Sequence, residues 1–150
     1  MTVYRITHQK YAEQLSASGI ANRWNLDGQF VIYTASSRSL ACLENLVYTS
    51  GETLGSGLYV CLEIIIQDTD SISTITQKDI KLIKAETKTY MKKTGSEWYL
   101  QNNHLLMIVP SVIIPHENNI IINTRHPEFK NIKINSNEPF IFDKRFLSCY

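Results

Sequence analysis

The sequence predicts a mixed α/β fold of the α+β kind, richest in strands in its second half. Short runs of β-branched and aromatic residues recur between Val3 and Asp143, as strands require. One stretch, 39–49, instead spaces its apolar residues at helical intervals. The two kinds of segment do not alternate regularly, which argues against a doubly wound parallel sheet.

Val3 to Thr7 alternates, with Tyr4 and Ile6 on one face and Val3, Arg5 and Thr7 on the other. Weak helical character follows at Tyr11, Ala12 and Leu15, ending at Ser18-Gly19. Ala21 to Gln29 reads as a polar loop holding Arg23 and Trp24, with the turn dipeptide Asp27-Gly28 near its end. Phe30 to Ala35 is the second strand, and Ser36 or Ser37 caps the helix that follows. Gly51 to Gly57 is a glycine-bearing connection. Leu58 to Ile66 is nearly continuous in apolar character, which predicts a central strand.

Ser71 to Thr76 is strand-like. Lys81, Lys84, Lys88 and Lys92 recur as one face of a helix that Thr87, Thr89 and Tyr90 weaken, and Gly95 to Leu100 resembles a short capped helix. Leu105 to Val109 is a strand stopped by Pro110-Ser111. Ile120 to Asn123, Ile132 to Asn135 and Phe140 to Asp143 complete the set. With no repeat, linker or low-complexity tract, residues 1–150 are expected to form one domain.

Hydrophobic residues make up 43% of the chain and charged residues 19%, as in an ordinary globular protein. Fifteen basic against fourteen acidic residues give a net charge of +1, without the basic excess that nucleic-acid binding brings. Cys42, Cys61 and Cys149 are odd in number and lack C-x-x-C spacing, so they read as small hydrophobes in a reducing compartment. No apolar run is long enough to span a bilayer, and the first residues lack a signal-peptide pattern. A cytoplasmic protein is expected. His8, His104, His116 and His126 show no metal-ligand spacing, and there is no Walker loop or G-x-G-x-x-G.

Glu44 is the most informative residue. It follows Leu40 by four positions and precedes Val47 by three, so it lies within the apolar stripe Leu40, Leu43, Val47. A carboxylate aimed at a core is costly unless paired. Arg5 and Arg23 are candidate partners, as a structural network or as a grip for a pyrophosphate, which the guanidinium fork suits. Tyr33 alternates with Val31 and Ala35 and, by itself, reads as a core aromatic. Ser111 ends an apolar strand, where side chains often face a cleft, but it has no G-x-S-x-G elbow. The lysine series reads as a solvated face.

These segments occur in an order that resembles the RES-domain family, toxins of bacterial toxin–antitoxin pairs named for an arginine, a glutamate and a serine. Tyr4-Arg5 opens the resemblance. Arg23-Trp24-Asn25, Gly28 and Ile32-Tyr33 resemble R-W-N-x-x-G-x-x-x-I-Y; Ser39, Ala41 and Glu44 resemble S-x-A-x-x-E. Val109-Pro110-Ser111 matches V-P-S, Asn118-Asn119 with Asn123, His126 and Pro127 resembles N-x-x-x-N-x-x-H-P, and Phe142, Asp143 and Arg145 resemble F-D-x-R. One departure is Ala21-Asn22, where the family commonly has two glycines; a stiffer loop is expected there.

The resemblance implies a fold similar to the ADP-ribosyltransferases, with mainly antiparallel sheets and peripheral helices. It implies NAD as substrate and no other cofactor, with inorganic phosphate a candidate co-substrate. The expected enzyme is an NAD glycohydrolase or phosphorylase that depletes NAD and arrests growth. The alternatives are a protein ADP-ribosyltransferase toxin and, from another class, a non-catalytic partner-binding module. Carried over by position, Glu44 steadies the ribosyl cation, and Arg5 and Arg23 hold the pyrophosphate or adjoining ribose. Tyr33 lines the nicotinamide site, Ser111 orients nicotinamide or ribose, and Asn123 joins the NAD-contacting set. The implied partner is an Xre-type helix-turn-helix antitoxin; a homodimer or larger toxin–antitoxin assembly is left open.

Overall fold

A computed structural model describes residues 1–48, 57–81 and 87–147. β1 (Thr2–His8) uses its alternation to serve two layers: Val3 packs with Leu62 and Ile64, whereas Ile6 packs with Cys61 and Leu40 on the opposite face. It pairs along its whole length with β3 (Tyr59–Ile65), antiparallel, from Thr2↔Ile65 to His8↔Tyr59. β3 pairs in turn with β7 (Lys133–Phe140).

β2 (Val31–Ala35) pairs antiparallel with β6 (Asn118–Asn123), and β6 with β5 (Leu106–Pro110). β4 (Ile72–Thr74) joins β5 in parallel. The sheet order is β4-β5-β6-β2-β1-β3-β7. β1 and β2 share one register pair, Tyr4↔Ala35, so the sheet consists of two wings, antiparallel except for β4 on β5, joined at a narrow seam. Four helices are found among the described residues: α1 (Arg38–Tyr48), α2 (Gln77–Lys81), α3 (Thr87–Gln101) and α4 (Lys144–Leu147). The expected mixed fold with mainly antiparallel pairing and peripheral helices is what the structure has.

One apolar cluster, including Ile32, Leu62, Leu106 and Ile122, lies on one face of both wings. The other face carries two separate clusters. α1 covers Ile6, Tyr59 and Cys61 on the first wing; α3 and Trp24 cover Val31, Met107 and Ile121 on the second. A gap between two clusters on one face, at the seam of the wings, is where this fold makes a cleft.

Several local expectations change. The weak helical character expected over Tyr11 to Leu15 gives no helix; the chain there only leaves a 3₁₀ turn, Gln9–Tyr11. β3 lies one strand from the sheet edge, not at its centre. Its near-continuous apolar character serves one face covered along Val60, Leu62 and Ile64 and another covered at Tyr59 and Cys61, while Glu63 is half-buried and Ile65 exposed. The segment near 132–135 extends into one strand, β7, that ends at Phe140, so the separate strand expected over 140–143 is not formed; Pro139 is tolerated because β7 is an edge. Gly95 to Leu100 is no separate helix but the second half of α3. Lys88 and Lys92 are exposed, as a solvated face requires; Lys84, Cys149 and the stretch 51–56 lie outside the described residues.

Candidate active site

α1 begins at Ser37, whose hydroxyl accepts the Leu40 N–H at 3.1 Å and donates to the Glu117 carboxylate at 3.0 Å. The Asn45 amide pins the helix to β1 by donating to the Ile6 carbonyl at 3.3 Å. Leu40, Ala41 and Leu46 are buried. Val47, expected in the apolar stripe, is 60% exposed, because the last turn overhangs the cleft and lines its mouth with Tyr48. Glu44 is half-buried on the cleft wall.

Two neutral donors, rather than arginines, hold Glu44. The Ser111 hydroxyl donates to Oε1 at 2.9 Å and the Asn119 amide donates to the same oxygen at 2.5 Å. Ser111 is itself fixed, accepting the N–H groups of Ile113 and Ile114 at 3.1 Å each. Among the described residues Oε2 has no hydrogen-bond partner, and neither Arg5 nor Arg23 forms an ion pair with Glu44. The expectation that an arginine pairs with this carboxylate is therefore corrected. The donors approach from β5 and β6, where the strand ends meet α1.

The opposite wall is the 20–29 loop. The Asn25 amide donates to the carbonyls of Ile20, Leu26 and Gln29, and Trp24 is buried against α3. The Tyr33 hydroxyl accepts the Trp24 N–H at 3.0 Å and donates to the Asn25 side chain at 2.9 Å, latching the loop to β2. Burial pushes its ionisation well above the ordinary tyrosine range, with the Trp24 N–H opposing the shift. Gly95 of α3 lets the Trp24 backbone approach so closely that a Cβ there would overlap the Trp24 carbonyl. Ala21 and Asn22 need no glycine conformation: Asn102 is the one non-glycine residue with positive φ among those described.

The resulting cleft encloses about 460 Å³, within the usual small-molecule range of roughly 300–1,000 Å³. Among the described residues, its charged lining is Arg5, Arg23 and Glu44. Arg5 donates to the Ser16 carbonyl at 3.0 Å, and burial lowers its pKa while leaving it charged at neutral pH. Arg23 donates to the Tyr48 hydroxyl at 3.2 Å across the mouth.

The structure thus brings Arg5, Arg23, Tyr33 and Glu44 to one cleft. Ser111 is buried behind Glu44, so it supports the carboxylate and does not line the cleft. Asn123 does not belong to the cleft at all. It is fully buried at the far end of β6, donating to the Tyr99 carbonyl and the Asn102 side chain and accepting the Arg125 N–H. Pattern reading assigned no site role to Asn119, Asn45 or Tyr48. Asn119 lies in the matched asparagine run, but it shares a strand face with Asn123, so alternation does not mark it out.

Fold and site define a mixed α/β protein with a small-molecule cleft at the seam of a split sheet, bearing one restrained carboxylate and two guanidinium groups. The RES domain family matches residues 2–143, and the chain belongs to that family. It is 32% identical over 143 residues to a Prs ADP-ribosylating toxin of Sphingobium sp. (strain YBL2), covering 91% of this chain and 88% of that one. It is 33% identical over 138 residues to Toxin Res of Photorhabdus laumondii, covering 86% and 85%. Among solved structures, the M. tuberculosis MbcT–MbcA toxin–antitoxin complex contains a chain of the same fold, with a TM-score of 0.72 at 16% identity over 93% of this chain and 84% of that one. No helix among the described residues is long and apolar enough to cross a membrane.

Proposed function

We propose that this protein, as one domain over residues 1–150, is a cytoplasmic toxin that binds NAD and breaks its nicotinamide–ribose bond. The observation that carries the reading is the restrained carboxylate of Glu44, with Oε2 unpartnered among the described residues, on the wall of a cleft that also holds two guanidinium groups. Nicotinamide departs as a neutral molecule, so the leaving group needs no acid. What needs stabilising is the ribosyl oxocarbenium ion, and a fixed anion beside it favours the transition state over bound substrate. Arg5 and Arg23 hold the pyrophosphate or adjoining ribose, and the Tyr33 ring lines the nicotinamide end.

The acceptor is water or inorganic phosphate. A second reading, transfer of ADP-ribose to a protein, draws support from the Sphingobium relative, which is called an ADP-ribosylating toxin. The partner is a small helix-turn-helix antitoxin of the Xre type, a reading supported by the toxin–antitoxin complex that shares the fold. NMR of NAD with the purified protein, with and without phosphate, tests the proposal. Free nicotinamide with ADP-ribose marks hydrolysis, and ADP-ribose phosphate marks phosphorolysis. Labelled protein from isotopic NAD marks the second reading, and unchanged NAD overturns all of them.

A further inference from the structure

We infer that Asn119 is a positioning residue for Glu44, and this rests on the reading of Glu44 given above. β6 pairs Asn119 with Ala35 of β2 and Val109 of β5, so directly opposed side chains share its face at the strand end nearest α1. From there its amide reaches across 75 residues of sequence to Glu44 Oε1 at 2.5 Å. An ionised carboxylate only accepts, so the amide presents its NH2 group to Oε1.

The two supports of Glu44 differ. Ser111 is 1% exposed and its hydroxyl is saturated, with one donor on Glu44 and two backbone N–H groups on its oxygen. Asn119 is half-buried and lines the cleft beside the carboxylate. Both converge on Oε1, which fixes the rotation of the carboxyl group and directs Oε2 away from them. Neutral donors do this without cancelling the charge. An arginine in the same place would orient Glu44 equally well but would neutralise the anion that the ribosyl cation requires. Asn119 thus acts through Glu44, on turnover and not on ligand affinity.

The test uses the full-length protein and NAD. Asn119→Ala lowers kcat between about ten- and a hundredfold, the usual range for losing a hydrogen bond to a charged group, while KM stays within about twofold. Asn119→Asp keeps the shape but sets a second carboxylate against Oε1. At neutral pH its kcat is as low as that of Asn119→Ala. On acidification a proton enters the pair, restoring a donor to Glu44, so its activity relative to wild type rises while that of Asn119→Ala stays flat. A merely structural asparagine gives no such recovery, and Asn119→Asp reads out even where Asn119→Ala folds poorly. An Asn119→Ala kcat within twofold of wild type, or an Asn119→Asp deficit independent of pH, overturns the inference. Where wild-type protein leaves NAD intact, the functional reading fails by itself. Crystal structures then decide the positioning role: Glu44 turned from Ser111 or split between orientations in Asn119→Ala supports it, and one unchanged orientation overturns it.

Discussion

Gly95→Ala sets two physical effects against each other. In an exposed helix interior, alanine stabilises relative to glycine by about 0.8–1.0 kcal/mol. Gly95 sits inside the 15-residue helix α3, so propensity alone predicts a more stable protein. Yet the added methyl would overlap the Trp24 carbonyl, and that backbone cannot simply retreat. Trp24 is 3% exposed, its N–H is bonded to the Tyr33 hydroxyl, and the neighbouring Asn25 amide makes three carbonyl contacts. Overpacking of this kind costs about 1–3 kcal/mol, occasionally more, and a backbone obstacle belongs at the upper end. The clash therefore wins, leaving Gly95→Ala less stable by about 1–2 kcal/mol, or roughly 3 °C in Tm for each kcal/mol at this size. Urea denaturation followed by the fluorescence of Trp24 and Trp98 measures the first quantity. On the proposed reading, displacing Trp24 also displaces the adjacent Arg23, so the KM for NAD rises in the same variant. A Gly95→Ala protein as stable as its parent, with unchanged KM, would refute the seating of the loop on α3.

Glu44→Gln keeps an oxygen for Ser111 and Asn119, so it should fold with Tm nearly unchanged while NAD turnover falls by about a hundredfold or more; parental turnover would remove Glu44 from the mechanism. Asn123→Ala strips a buried amide from three partners and should cost about 1–3 kcal/mol in urea denaturation with KM unaltered, the reverse of an NAD contact. Tyr33→Phe removes a phenol whose folded pKa lies above its unfolded one. That contribution is complete below the ordinary value near 10.0 and is lost as pH rises towards the folded value. Urea midpoints taken from about pH 8 to about pH 11 should fall less steeply in Tyr33→Phe than in the parent; parallel curves would contradict the burial of the hydroxyl.

The strands were legible because runs of β-branched and aromatic residues are local signals. Val3 and Ile6, or Ile120 and Ile121, then face opposite layers as period two requires. What failed depended on contacts distant in sequence. Gly95 looks like a helix boundary until the Trp24 backbone is known to lie against it, since only the approach of another segment explains a glycine inside α3. Val47 has the right spacing for the core, yet spacing cannot say that the last turn of α1 passes beyond the sheet.

The site shows the same division more sharply. Arg5, Arg23, Tyr33 and Glu44 were readable from residue type and motif, but the support of Glu44 was not. Asn119 and Asn123 are four residues apart on one strand, so alternation gives them the same face and cannot separate their roles. Their fates differ because different elements cover the two ends of β6. One end meets α1, where Asn119 finds a carboxylate; the other lies under α3, where Asn123 bonds the Tyr99 carbonyl and secures Asn102, which leaves the helix with φ +55°. The choice between cleft and core is thus set by what each end of the strand packs against, and exchanging alanine at the two positions should separate turnover from stability in a single experiment.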